Sequence, residues 1–297
     1  MTSQASEALP AWSEPFTPPT NKGLARLPAL DSITREWAWG GSTGEGVSVA
    51  IVDSGVEGDH PWVKGRLVES VAVEMHGDEP EIVETEPVDL FGHGTACAGI
   101  IVGLAPDVEI VSVRVLGADL RGKGASFAAG LQYVIERPVA VANLSLSSKS
   151  EAMQPFFYEL ADEAYFRRVV LVSAANNVVG PSYPSLFSSV ISVAAHSEPD
   201  PWRFYYNPNP PVEFGAWGLD VPVAWMNGGE TLVTGNSFAA PHITAIVALI
   251  LAKHPGLTTF EVKSILAAVA DNERPGADGG GATRRKAGTR APRGSAR

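Results

Sequence analysis

Apolar positions along this chain fall into two kinds of run. Residues 47–52, 108–116, 139–146, 169–174 and 190–195 are short, largely apolar stretches rich in Val, Ile and Leu. Runs of that length and composition predict strands buried on both faces. Between them, residues 126–136 and 151–168 carry the longer patterns of helices, and a short helix is predicted around Trp37-Ala38-Trp39. Residues 243–252 are apolar nearly all round, which predicts a helix inside a core rather than on its surface. Thr258-Thr259-Phe260-Glu261 has the form of a capping box and starts a last helix, ending near Ala270. Strands alternating with helices predict an α/β fold, a doubly wound and mostly parallel sheet with helices on both faces. Ligands of such folds bind beyond the carboxyl ends of the strands, and Asp53 and Asn176 both follow strand ends.

The pattern also divides the chain. Residues 1–34 are polar and proline-rich and read as an extended arm, 35–270 carry the α/β pattern, and 271–297 read as a disordered basic tail. Gly41-Ser42-Thr43-Gly44-Glu45-Gly46 precedes a strand instead of following one, so it reads as a turn and not as a dinucleotide fingerprint. The 297 residues, 45% of them apolar, suffice for one core of ordinary size. The net charge is −11, yet residues 271–297 hold seven basic and three acidic side chains, leaving −15 on the remainder. An acidic body argues against nucleic acid as a partner. No run of 18 apolar residues suggests a membrane span, and no charged segment followed by an apolar one marks a secretory signal. With one cysteine, Cys97, a cytoplasmic location is the expectation.

Four small polar positions carry candidate chemistry. Ser237 lies in a small-residue turn at the start of the 243–252 helix, where free N–H groups and the helix dipole favour negative charge. His93 stands between Gly92 and Gly94 at the head of another apolar segment, Asp53 ends the first strand, and Asn176 follows the 169–174 strand. Each alone has a bland reading as a cap, a turn or a solvated loop residue. Together they are a functional set. A serine hydroxyl attacks poorly until an imidazole takes its proton, and a carboxylate must hold that imidazole in the right tautomer. An amide side chain and a backbone N–H can then receive the oxyanion.

The segments Ala50-Ile51-Val52-Asp53-Ser54-Gly55-Val56, Gly92-His93-Gly94-Thr95-Ala96-Cys97-Ala98-Gly99 and Gly235-Asn236-Ser237-Phe238-Ala239-Ala240-Pro241-His242, in that order, resemble the three motifs of subtilisin-like serine proteases. The resemblance spans roughly residues 35–270. It implies a serine endopeptidase working through an acyl-enzyme, with Asp53 orienting, His93 as general base and acid, Ser237 as nucleophile and Asn176 as oxyanion donor. It further implies that a peptide or protein substrate lies as an added strand beside Gly122, Gly124, Leu146, Ser147 and Ser148. Ala174, Ala175, Tyr183 and Pro184 would help form the pocket for the side chain before the cleaved bond. The Tyr183-Pro184 bond matches one that is cis in the family.

The chain departs from the family at several of these positions. Asn236 and Phe238 stand where Thr and Met are usual, and Ala175, Ser147, Ser148 and Ser182 stand where glycine is common. Trp62 occupies the place of a calcium-binding aspartate, so neither a metal nor a cofactor is expected. His60 and His242 match structural positions, and Cys97 reads as a buried, inert thiol. About thirty-five residues before the match are too few for the family's inhibitory pro-domain. The expected role is a protease dedicated to maturing one peptide or protein. A ligase or cyclase using the same triad remains open, as does a pseudoenzyme that only binds peptides. The oligomeric state is left open as well. Between Glu69 and Asp89 lie eight acidic residues and no Lys or Arg. As a rim of the cleft, that stretch would favour cationic substrates.

Overall fold

The computed structural model describes residues 27–63 and 65–272, together with Ser13 and Pro19. Most of the proline-rich arm and nearly all of the basic tail therefore lie outside the described residues. In chain order the elements are α1 (Arg35–Trp39), β1 (Ser48–Asp53), β2 (Leu67–His76), β3 (Glu79–Glu84), α2 (His93–Leu104) and β4 (Glu109–Arg114). There follow α3 (Gly124–Ile135), β5 (Val141–Leu144), α4 (Gln154–Phe166), β6 (Val170–Ala174) and β7 (Ile191–His196). Four short strands, β8 (Phe204–Tyr206), β9 (Phe214–Trp217), β10 (Val221–Trp225) and β11 (Gly229–Val233), lead to α5 (Asn236–Lys253) and α6 (Thr259–Val269).

Nine strands form one sheet in the order β3-β2-β4-β1-β5-β6-β7-β9-β8, and β10 and β11 form a separate hairpin. The interior pairings are parallel and only the two edge pairings, β2 with β3 and β8 with β9, are antiparallel. From β1 the chain crosses to β2 and β3 at one edge, returns to β4 beside β1 and then passes to β5 on the other side, so the switch point lies at the carboxyl end of β1.

Alternation along the strands feeds two cores. Val49 and Ile51 of β1, with Val141, Val170, Val172, Ile191 and Val193, pack against α2, α5 and α6. Ala50 and Val52, with Val111, Val113, Ala142, Leu144 and Leu171, pack against α3 and α4. α5 runs through the first core with Ile243, Ile246, Val247 and Ile250 buried, as its all-round apolar pattern requires. Among the described residues it is the one helix long and apolar enough to cross a membrane, and 78% of it is covered by protein.

Several boundaries differ from the sequence reading. The 151–168 helix begins at Gln154, because Glu151–Met153 is a separate 3-10 turn. The sequence reading placed no strand between Asp53 and His93, yet that stretch forms β2 and β3. Glutamates stand on both faces of this edge hairpin and interrupt its short apolar stretches, which hides it from an apolar-run criterion. The capping box is present: Thr258 Oγ1 accepts the Glu261 N–H, and the Glu261 carboxylate accepts the Thr258 N–H at 2.8 Å.

Replacing Ile246 with alanine should lower the unfolding free energy by about 2–5 kcal/mol, since the side chain is buried amid α5's neighbours. Urea unfolding of the two proteins reads the difference. A loss below about 1 kcal/mol would mean that the core around α5 collapses around the gap.

Candidate active site

Asp53 ends β1 with the parity of Val49 and Ile51, so its side chain turns toward the layer holding α2 and α5. It is 0% exposed. A buried carboxylate must be paired. His93, the first residue of α2, supplies the partner: its Nδ1 lies 2.8 Å from Asp53 Oδ1 and 2.9 Å from Oδ2. The Ser54 N–H adds a bond to Oδ1 at 2.7 Å. With Nδ1–H donating to the carboxylate, Nε2 is the free acceptor on the cleft side. Close approach of the two segments needs glycine: a Cβ on Gly94 would sit 2.0 Å from the Gly55 carbonyl oxygen, and Gly92 has φ of 107°.

Asp89 holds this junction. Its Oδ1 accepts Ser54 Oγ–H at 2.8 Å and the N–H groups of Phe91 and Gly92, while its Oδ2 accepts the N–H and hydroxyl of Thr95. The first turn of α2 is therefore capped from four residues upstream, and β1 is tied to it through Ser54. Burial, the largest influence on His93, disfavours its charged form. The Asp53 charge, the Asp53 hydrogen bond and the Asp89 charge together outweigh it and place the His93 pKa above the ordinary imidazole range.

Ser237 is the second residue of α5. Its hydroxyl donates to the Ser145 carbonyl at 3.0 Å rather than to the imidazole, while Ser145 Oγ–H donates back to the Ser237 carbonyl at 2.8 Å. Pro241 explains the second bond. It lacks the N–H that would have reached back four residues, so the Ser237 carbonyl needs another donor. The preceding Asn236 divides its side chain between the loop after β6 and strand β7. Nδ2–H donates to the Ala175 carbonyl at 3.0 Å and approaches that of Asn176 at 3.4 Å, and Oδ1 accepts the Ala195 N–H at 2.8 Å. Asn177 Oδ1 in turn accepts the Asn236 N–H at 3.0 Å. Asn236 and Asn177 thus lock the loop that carries Asn176 to the turn that carries Ser237. Neither was singled out for this from sequence, although the Asn-Asn pair and the departure at 236 were visible there.

His93 and Ser237 line one cleft of about 600 Å3 at the carboxyl ends of β4, β5 and β6. Gly122, Gly124, Leu146, Ser147, Ser148, Ala174, Ala175 and Asn176 line it as well. Asn176 Nδ2–H donates to Ser147 Oγ at 3.2 Å, so the amide is held in the cleft wall. Tyr183 and Pro184 do not line it. Both are buried; Tyr183 exchanges backbone hydrogen bonds with Ser148 at 2.8 and 2.9 Å and stacks on Phe187. Their place is behind the wall, supporting Ser148, and the bond between them is cis. Lining residues the sequence reading did not name include Leu116, Leu120, Arg121, Phe127 and Thr234. Phe238, where the family has Met, lies with its ring 5.1 Å from the His93 ring.

The acidic stretch meets this cleft at Asp78, beside Lys123, and does not line it. It forms the β2–β3 edge hairpin, and none of its eight carboxylates is among the lining residues. Asp89, the nearest to His93 in sequence, is consumed by the bonds just described.

Cys97, one turn into α2, is buried and free, with Sγ 3.4 Å from Ser145 Oγ and 4.0 Å from Asp53 Oδ2. Burial, then the Asp53 charge, push its pKa well above the usual thiol range, so it carries its proton. Asp53, His93 and Cys97 bring their donor atoms within 4.8 Å of one another. The protonated thiol makes this a poor set for a metal, and Asp53 and His93 already satisfy each other. His242 is held neutral, its pKa lowered to about 4 by burial, and its Nδ1 bonds the Phe238 carbonyl. His60 Nε2 bonds the Gly229 carbonyl, and Trp62 Nε1–H donates to Glu230.

The His93 pKa should fall in Asp89→Asn and fall further in Asp53→Asn, because each change removes a negative charge that favours imidazolium. NMR titration of the His93 ring protons reads both shifts. An unchanged or raised value in Asp89→Asn would remove Asp89 from the electrostatics of the site.

Comparison with known proteins agrees with this geometry. The sequence matches the subtilase family over residues 44–288. It is 30% identical over 239 residues to an intracellular serine protease of Paenibacillus polymyxa, covering 74% of this chain and 71% of that protein. It is 29% identical over 242 residues to subtilisin-like protease 1 of Arthroderma gypseum, covering 77% of this chain but only 48% of that longer protein. Among solved structures, a cold-adapted subtilisin-like serine proteinase superposes with a TM-score of 0.63 at 26% identity, covering 78% of this chain and 86% of that one. A parallel sheet wound about β1, with an aspartate–histidine pair and a serine meeting at its switch point, goes with these likenesses: the chain belongs to the subtilase family of serine peptidases.

Proposed function

We propose that this subtilase is an endopeptidase that matures a dedicated peptide or protein in the cytoplasm. The observation that carries the catalytic reading is the doubly contacted Asp53–His93 pair, buried beside a cleft that also holds Ser237. Ser237 Oγ rotates from the Ser145 carbonyl to His93 Nε2, gives up its proton, and attacks the substrate carbonyl carbon. Asn176 Nδ2–H and the Ser237 N–H at the amino end of α5 receive the oxyanion. The imidazolium, stabilised by Asp53, protonates the leaving amine. Water, deprotonated by the same imidazole, then releases the acyl group.

The dedicated role is supported by the cleft wall. Ser147 and Ser148, where the family commonly has glycine, add volume beside Ala174, Ala175 and Asn176, which favours a small or polar side chain before the cleaved bond. The cytoplasmic location is supported by a single cysteine that is reduced and buried. A ligase would share every step up to the acyl-enzyme, and product analysis with an added amine separates the two.

Labelling with a fluorophosphonate should modify wild-type protein at Ser237 and leave Ser237→Ala unmodified. The variant should lose roughly 10⁶ in kcat, the loss seen in subtilisin. Folded wild-type protein that takes no label would instead be a peptide-binding module.

Asn236→Ala should lower kcat about ten- to hundredfold with a smaller change in KM, because the loop bearing Asn176 loses its tie to the nucleophile turn. Asn176→Ala should cost about 10²–10³, the range for one oxyanion donor in subtilisin. Equal kcat in Asn236→Ala and wild type would show that Asn177 alone holds the loop.

A further inference from the structure

Charge is arranged oppositely in the body and in the cleft. Residues 1–270 carry a net −15, yet the ionisable side chains lining the cleft among the described residues are His93, Arg121 and Lys123, with no Asp or Glu. Lys123 is already engaged: its Nζ donates to the Gly77 carbonyl at 2.8 Å and lies 3.5 Å from Asp78 at the tip of the β2–β3 hairpin. Arg121 is not. Every other described arginine gives its guanidinium to an acceptor within the chain. Arg121 donates only its backbone N–H, to Asp119 Oδ1 at 3.1 Å, and its exposed side chain has no partner among the described residues. The first turn of α3, which starts at Gly124, contains no acidic side chain to offset it.

Its position gives that free cation a use. Arg121 belongs to the loop leaving β4, and Leu146, Ser147 and Ser148 to the loop leaving β5. β4 and β5 flank β1, so the two loops rise about 10 Å apart on either side of Asp53. If a substrate lies as the family resemblance implies, as a strand between these loops with its pre-cleavage side chain at Ala174 and Ala175, the residues ahead of that side chain pass Arg121.

We propose that Arg121 selects substrates carrying an Asp or Glu side chain two to four residues before the cleaved bond. This rests on the peptidase reading above. A guanidinium offers a carboxylate two parallel N–H donors, a geometry that lysine cannot copy. Asp119, which accepts the Arg121 N–H, and Asp78, beside Lys123, are the near carboxylates; the rest of the acidic body opposes acidic peptides at long range. At about 0.15 M salt its exposed charges are screened beyond about 8 Å, while a contact pair at Arg121 is screened far less. The acidic hairpin thereby loses the cation-selecting role the sequence suggested, and the cleft selects the opposite charge.

The test is a fluorogenic peptide series with Glu, Gln or Lys placed in turn two, three and four residues before one cleaved bond. At one of those positions wild-type enzyme should show kcat/KM higher for Glu than for Gln by about two- to tenfold, with Lys lowest. Arg121→Glu should invert the Glu-to-Gln ratio, and Arg121→Ala should bring it near one. Arg137→Ala, which removes the same charge at the far end of α3, should leave the ratio as in wild type. A ratio unchanged in Arg121→Glu, or a wild-type preference for Lys at all three positions, overturns the proposal. The same peptides titrated against Ser237→Ala read the ratio as affinities without turnover. A Glu preference there, in a wild-type protein that hydrolyses nothing, upholds the proposal and sinks the peptidase reading alone.

Discussion

Asp53 is a carboxylate with no solvent at the centre of a parallel sheet, and much of the site follows from the need to satisfy it. Strand β1 lies where the winding of the sheet reverses, so its carboxyl end faces a crevice and not a crossover helix. Parity sends the side chain toward α2 and α5. There the imidazole of His93 and the N–H of Ser54 take its lone pairs, and the glycines at 55 and 94 let the two segments come close enough for it. A buried charge left unpaired would cost several kcal/mol, which makes this pairing a condition of folding as well as of chemistry.

Around that pair the structure builds by compensation. Pro241 takes a hydrogen bond from α5; the Ser145 hydroxyl restores one to the Ser237 carbonyl, while the Ser145 carbonyl accepts a hydrogen bond from the Ser237 hydroxyl in the resting state. Asp89 caps α2 from upstream and also contributes to the field that keeps His93 readily protonated. Asn236 joins α5, the loop after β6 and β7 through one amide. Three segments distant in sequence are thereby held in register to the accuracy that oxyanion stabilisation demands.

The same compactness separates local charge from overall charge. Most of the acidic residues between β1 and α2 are spent on an edge hairpin, where charged side chains keep the open strand from pairing with other chains. Lys123 reaches back to the tip of that hairpin and Arg121 does not. Among the described residues the cleft is thus a basic spot on an acidic molecule, with a single uncommitted guanidinium.

By itself the sequence determined what depends on neighbours along the chain: the apolar strands β1, β4, β5, β6 and β7, the core helix α5, the capping box at Thr258 and Glu261, and the motifs around Asp53, His93 and Ser237. Periodicity, caps and glycine-flanked polar residues are local signals. It could not place β2 and β3, whose scattered glutamates resemble a solvated loop until β4 pairs with β2. Nor could it show that Tyr183 stands behind the cleft wall, that Asp89 is a cap and not a rim charge, or that Asn236 spans two strands. Those depend on pairings such as Tyr183 with Ser148, Asp89 with Ser54 and Asn236 with Ala175, which join groups 35 to 61 residues apart in the chain. Only the tertiary structure decided them, because a hydrogen bond or a charge contact is set by separation in space, and the winding of the sheet fixes that separation.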